Sequence, residues 1–144
     1  MAGTPYFVAF GTGRAGVQCA DRQYDVAMVK SCLFCRIVAG DLAAGVVAKN
    51  EHAFAFRDVN PVAPTHVLVV PRQHIANAQV VSAADATSVA AMFELSQEVA
   101  RIEGVDETGY RLVFNVGDDS GNSVAHLHMH VIGGQSMGWP PFVA

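Results

Sequence analysis

Two hydrophobic periods divide the chain. From Ser82 to Gly104 apolar residues recur three or four positions apart, at Met92, Leu95, Val99 and Ile102, which predicts one long amphipathic helix. Ser82 and Asp85 read as a capping-box pair at its start, and Gly104 as its stop. Elsewhere the apolar runs are short, rich in β-branched residues and bounded by turn formers. They predict strands over residues 46–48 and 53–57 around a polar turn at 49–52, over 65–70 ahead of Pro71, over 110–115, and over 125–132. A short helix is expected over 32–39, with Leu33, Ile37 and Val38 apolar and Gly40 ending it. Asp58 to Pro61 with Pro64 marks one loop, and Asp118 to Asn122 another. Helices and strands do not alternate, so the pattern predicts an α+β domain with a five-stranded, mainly antiparallel sheet, one long helix and one short one.

The last strand carries an unusual polar face. His126, His128 and His130 alternate with Leu127, Met129 and Val131, so a period of two puts three imidazoles on one side and three apolar groups on the other. A fold has no need of three titratable rings in a row. A neutral imidazole attacks phosphorus well, and a neighbouring ring can donate to phosphate oxygens, which suits two-step transfer of a phosphoryl or nucleotidyl group. His-x-His on a strand also suits zinc, and spacing alone does not choose between the two.

Composition narrows the class. The 144 residues are 51% hydrophobic and 15% charged, which fits one globular domain and often accompanies a subunit interface. A net charge of −4 offers no footprint for nucleic acid, and no apolar run is long enough to span a membrane. The N-terminus lacks a basic segment followed by an apolar one, so a cytoplasmic location is expected. Residues 1–30 show no sustained period and read as a poorly ordered extension, with the domain proper over 31–144. Gly11, Gly13 and Gly16 spell G-x-G-x-x-G, but no convincing helix follows, so no dinucleotide or other organic cofactor is expected.

Cys32 and Cys35 stand one helical turn apart, and Cys19 is alone. With His74 and one histidine of the row, the pair could complete a tetrahedral zinc site; a redox pair or two buried thiols are the other readings. Gly121, Asn122 and Ser123 precede the histidine strand, where a glycine turn can bring backbone N–H groups to a phosphate. Asp58, at a strand end, could accept from ribose hydroxyls or simply begin a turn. His66, inside an apolar strand, reads as a buried, hydrogen-bonded histidine, and His52 as a solvated turn residue.

Residues 126–132 meet the pattern His-φ-His-φ-His-φ-φ in full, and the chain resembles the histidine triad (HIT) family. Other stretches match in order: Cys32 to Ile37, Phe56 to Pro61, Ala63 to His66, Pro71 to His74, Asn115, and Gly121 to Val124. The tail, Gly133 and Gly134 followed by Met137 to Pro141, is similar to the Hint branch, and unlike the fragile-histidine-triad hydrolases of diadenosine polyphosphates. The resemblance implies a homodimer whose two five-stranded sheets join into one, and hydrolysis of purine nucleoside phosphoramidates. It implies His128 as the nucleophile, oriented by the backbone carbonyl of His126, with His130 on the α-phosphate and Ser123 near the departing nitrogen. It implies a base pocket of Phe34, Ile37, Leu42, Phe56 and Val59, Asp58 as ribose acid, and Asn115 with Gly121 to Val124 around the phosphate. Zinc-bearing members imply Cys32, Cys35, His74 and His126 as ligands. Asn122 replaces the usual Gln, Ala125 a commonly larger residue, and Arg57 a common His. A dinucleoside polyphosphate hydrolase or nucleotidyltransferase using the same His128, or a zinc-stabilised nucleotide-binding scaffold, are the alternatives.

Overall fold

Five short strands build one sheet in the order β1-β2-β3-β5-β4, with every neighbouring pair antiparallel. They are β1 (Val46–Lys49), β2 (Ala53–Arg57), β3 (Thr65–Pro71), β4 (Tyr110–Val113) and β5 (Met129–Gly133). The computed structural model describes residues 26–141. The glycine run at 11–16 and Cys19 lie outside the described residues, as does most of the expected extension. Helix α1 (Val26–Ser31) crosses the boundary expected at residue 31 and leads directly into α2 (Leu33–Ala39).

The sheet is covered on both faces, which explains why β2 and β3 read as continuous apolar runs. Ala53, Ala55, Val67, Val69, Met129 and Val131 face one core with Ala91, Met92, Leu95 and Val99 of α3 (Ala86–Ile102). Phe54, Phe56, Leu68 and Val70 face a second, smaller core with Phe34 of α2. Full burial of each large apolar side chain contributes about 1.5–3 kcal/mol. The α3 face that meets the sheet is broadened by Ser88, Ser96 and Ala100, small groups that let helix and strands approach closely. Ile102, expected on that stripe, is exposed instead; Val99, Ala100 and Val105 close the core there.

Both ends of the long helix follow the sequence. A 3-10 turn over Ala83–Asp85 precedes α3, and the Asp85 carboxylate accepts the Ser82 backbone N–H at 2.9 Å in a capping box. At the other end Arg57 reaches from β2 and donates to both carboxylate oxygens of Glu103, at 3.0 and 2.8 Å. Such a forked pair also fixes strand against helix. Arg57 therefore turns to the α3 side of the sheet, opposite Phe56.

Strand 5 differs from its expected span, starting at Met129 rather than 125. Pro71 supplies the reason. It ends β3 without an N–H, and its carbonyl accepts the His126 ring Nε2–H at 2.9 Å. Just before, the His126 N–H bonds back to the Val124 carbonyl at 2.9 Å, and the Leu127 N–H reaches Ile75. The alternation of faces survives outside the ladder: Leu127 joins the α3 core, while the rings of His126 and His128 both pack edge-on against Phe34. Strand 4 is likewise shorter than expected, ending at Val113 and releasing Asn115 toward the site described next.

Candidate active site and metal centre

The histidine row lies where α2, the loop after β2 and the loop before β5 converge. The Gly40 residue after α2, at φ +86°, turns the chain sharply so that residues 43–45 form one wall. Opposite it, Gly117 and Gly121, at φ +78° and +75°, shape the 117–124 loop. Between the walls is a cavity of about 270 Å³, with His128 and His130 among its lining.

The structure brings nearly all the expected pocket residues to this cavity. Phe34, Ile37, Phe56, Asp58, Val59, Asn115, Gly121, Ser123 and Val124 line it. Leu42 does not; Leu33, Ala43, Ala44, Gly45 and Leu68 take that part of the wall. The α2 register could have singled out Leu33, which is one turn from Ile37 on the same face. The small residues at 43–45 carry no signal in the sequence that marks a wall.

His128 is held for one role. Its Nδ1 lies 2.7 Å from the His126 carbonyl oxygen, so Nδ1 carries the proton and Nε2 keeps a free lone pair. The ring is buried, stacked edge-on to Phe34 at 5.3 Å and to His130 at 5.1 Å. An imidazole whose tautomer is fixed by a backbone carbonyl presents an unprotonated Nε2, as a triad histidine oriented by a carboxylate does.

His130 is prepared for a different role by a chain of bonds that starts at the backbone. The Val62 N–H donates to His66 Nδ1 at 3.1 Å, which places the His66 proton on Nε2. That proton faces His130 Nδ1 at 2.8 Å, and an Asp58 oxygen lies 3.3 Å from His66 Nε2. His130 Nδ1 is then an acceptor and its Nε2 carries the proton; the Asn115 amide nitrogen lies 3.5 Å away, a second donor beside it rather than a partner for it. Burial pushes the His130 imidazole down to about 4, reinforced by His128 and His66 and opposed by Asp58. It is thus a neutral donor at neutral pH. Since the folded value lies below the ordinary 6.5, the fold carries no acid penalty from His130 above pH 6.5 and a growing one as pH falls toward 4. Histidine NMR titration of the free protein should show His130 changing near pH 4; a midpoint near 6.5 would remove this assignment.

Across Phe34 from the cavity, four donors meet. Cys32, in the N-cap position of α2, and Cys35 within its first turn approach His74 and His126, and the four ligand atoms lie within 4.8 Å of one another. Cys32 Sγ and Cys35 Sγ are each 3.4 Å from His126 Nδ1, and Cys35 Sγ is 3.3 Å from His74 Nδ1. Tetrahedral bonds of about 2.3 Å to sulfur and 2.0 Å to nitrogen give an edge of about 3.6 Å, so the cluster fits with little adjustment. The Nε2–H of His126 is held by Pro71 and leaves Nδ1 unprotonated toward the sulfurs, the usual second contact of a metal-binding imidazole. Burial pushes His126 down to about 4 and His74 in the same direction, keeping both neutral. Burial and the neighbouring Cys32 push the Cys35 thiol up to about 12, a cost that a divalent cation would reverse.

A five-stranded antiparallel sheet, a long helix on one face and a row of histidines at the rim of a cavity on the other define a HIT fold. The chain belongs to the HIT domain family, whose model matches residues 39–137. An uncharacterised 13.2 kDa HIT-like protein of Azospirillum brasilense is 42% identical over 107 residues, spanning 74% of this chain and 88% of its own. The purine nucleoside phosphoramidase of Escherichia coli K12 is 34% identical over 111 residues, spanning 77% of this chain and 93% of its own. Among solved structures, a HIT family hydrolase from Legionella pneumophila Philadelphia 1 superposes with a TM-score of 0.74 at 44% identity, over 77% of this chain and 99% of that one.

Proposed function

We propose that this protein is a nucleotide-binding hydrolase that cleaves the P–N bond of purine nucleoside phosphoramidates through a nucleotidyl-histidine intermediate. The observation that carries the reading is the 2.7 Å bond between His128 Nδ1 and the His126 carbonyl, in a ring that lines the cavity. The base lies among Phe34, Ile37, Phe56 and Val59, and the ribose hydroxyls meet Asp58. The α-phosphate lies against Asn115, the backbone of residues 121–124 and the Nε2–H of His130, which donates as negative charge builds on the phosphoryl oxygens. The His128 Nε2 lone pair forms a bond to phosphorus as the P–N bond breaks. The departing amine takes a proton delivered through the Ser123 hydroxyl. Water then breaks the P–N bond to His128, releasing the nucleoside monophosphate and the free imidazole. The kinship with a purine nucleoside phosphoramidase supports this substrate over a polyphosphate. An adenosine phosphoramidate assayed for AMP release should be turned over with kcat/KM well above that for diadenosine polyphosphates, and the reverse order would overturn the substrate assignment.

Zinc is the proposed occupant of the Cys32, Cys35, His74 and His126 cluster, in keeping with its two sulfur and two imidazole donors. The proposed assembly is a homodimer in which β4, at one edge of the sheet, pairs with its own copy. Sedimentation equilibrium at micromolar protein should return twice the monomer mass, and a monomer at all concentrations would remove the shared sheet.

A further inference from the structure

Glu103 stands in the C-cap position of α3, outside the cavity, and breaks a local rule there. A carboxylate at a helix C-terminus faces the negative end of the backbone dipole, where cations are favoured. Its side chain is nevertheless only 10% exposed, and the Arg57 fork supplies the compensating charge. Departures from local rules of this kind are expected where a residue serves a site. We propose that Glu103 is a positioning residue for the nucleotide base: through Arg57 it clamps the 43–45 wall of the cavity. The proposal rests on the nucleotide-binding part of the reading above and extends it to a residue that touches no part of the nucleotide.

The wall hangs from the end of an edge strand. Gly45 precedes β1, which has a sheet neighbour on one side only, β2. A register shift between Val46 and Ala48 separates the Val46–Phe56 rung from the rest of that ladder. Beyond it the Arg57 N–H adds one more bond, to the Gly45 carbonyl at 2.9 Å. A terminal rung past an irregularity opens more readily than a central one. Arg57 secures this end with its side chain as well as its backbone. A Cβ on Gly45 would meet the Arg57 stem at 3.5–3.7 Å, so the stem lies along the wall while the guanidinium is fixed to α3. Ala43, Ala44 and Gly45 join Phe34, Ile37 and Phe56 in the lining around the proposed base position. Asp58 depends less on the fork. Its N–H is held by the His66 carbonyl at 3.0 Å, and its carboxylate accepts the Asn60 N–H at 2.8 Å. The fork therefore bears on the base more than on the ribose or the phosphate.

The test uses the full chain and two ligands, AMP and ribose 5-phosphate, which lacks the base. Glu103→Gln keeps the shape of the side chain and removes its charge and one arm of the fork. Arg57→Met keeps an apolar stem and removes the guanidinium. Thermal melting identifies the folded samples, and the near-isosteric Glu103→Gln carries the test if Arg57→Met does not fold. The dissociation constant for AMP should rise about 3- to 10-fold in each variant, while that for ribose 5-phosphate stays within about two-fold. Because Glu103 acts through Arg57, the double variant should lose no more than Arg57→Met alone. Unaltered AMP affinity in folded Glu103→Gln, an equal loss for both ligands, or additive losses in the double variant overturns the clamp and leaves the phosphoramidase reading standing. Wild-type protein with no affinity for AMP overturns that reading, and the clamp with it.

Discussion

Replacing His128 by alanine should lower kcat/KM on an adenosine phosphoramidate by about four orders of magnitude or more, while AMP affinity changes only a few-fold. The asymmetry follows from geometry. In the proposed complex AMP is held chiefly by Asp58, the apolar walls, the 121–124 loop and His130, all of which remain in the variant, although Phe34 and His130 lose their edge contacts with the His128 ring. The covalent path depends on one lone pair, the Nε2 that His126 leaves free by holding Nδ1 at 2.7 Å. His130→Ala should cost less, about two to three orders of magnitude, since it removes one donor from the developing charge and keeps the nucleophile. The His128 ring also packs on Phe34, so truncation leaves a hole. His128→Asn, closer in volume, separates loss of chemistry from loss of fold. Both variants should melt cooperatively and bind AMP, and both should be inactive. Quenching wild type during turnover with an alkaline denaturant should trap AMP on His128, since the P–N bond to imidazole survives base and is lost in acid. An alanine variant that turns over at near wild-type rates would end the nucleophile assignment.

The sequence disclosed the parts of this site that depend on local period and concealed those that depend on pairing. Alternation from 126 to 131 announced one apolar and one imidazole face, and it holds even though β5 begins only at Met129, because extended backbone alternates whether or not it is laddered. The capping box of Ser82 and Asp85 was equally legible, being contained within four residues. The relay from Val62 through His66 to His130 was not. It needs β3 and β5 to pair in the register that sets Leu68 opposite His130, and a shift of one residue would turn His66 to the other face. His66 could be read as buried and hydrogen-bonded, yet its partner lies 64 positions away. Leu42 and Ile102 failed for a related reason. Periodicity states which residues could face inward, but the small side chains at 43–45 and the closure of the core by Ala100 and Val105 decide which do. The departure at Arg57 looked like a change beside the ribose acid, and the structure turns it into a strand–helix tie to Glu103.

Removing the proposed zinc should destabilise the protein and slow the proposed chemistry by separate routes. The cluster joins three segments: the start of α2, the stretch after β3 that carries His74, and the turn before β5 that carries His126. An ion bound only by the folded state at a thousandfold excess over its dissociation constant adds about 4 kcal/mol. For a domain of this size that corresponds to a melting temperature roughly 10–20 °C higher. Stripping the ion by chelation, or replacing Cys35 by serine, should remove that increment, with metal content measured on the same samples. The second route runs through His126. Its ring is anchored at Nδ1 by the cluster and at Nε2 by Pro71, and its carbonyl orients the His128 ring. Loosening the first anchor should widen the range of His128 orientations, so kcat should fall several-fold while AMP affinity stays within about two-fold. Cys35→Ser leaves His126 and the cavity lining in place, which isolates the effect of the anchor. If the pair instead serves redox chemistry, the purified protein will hold no stoichiometric zinc and will pass between dithiol and disulfide with an unchanged metal-free melting temperature. Stoichiometric metal in wild type together with an unaltered melting temperature in Cys35→Ser would contradict the structural role assigned to the cluster.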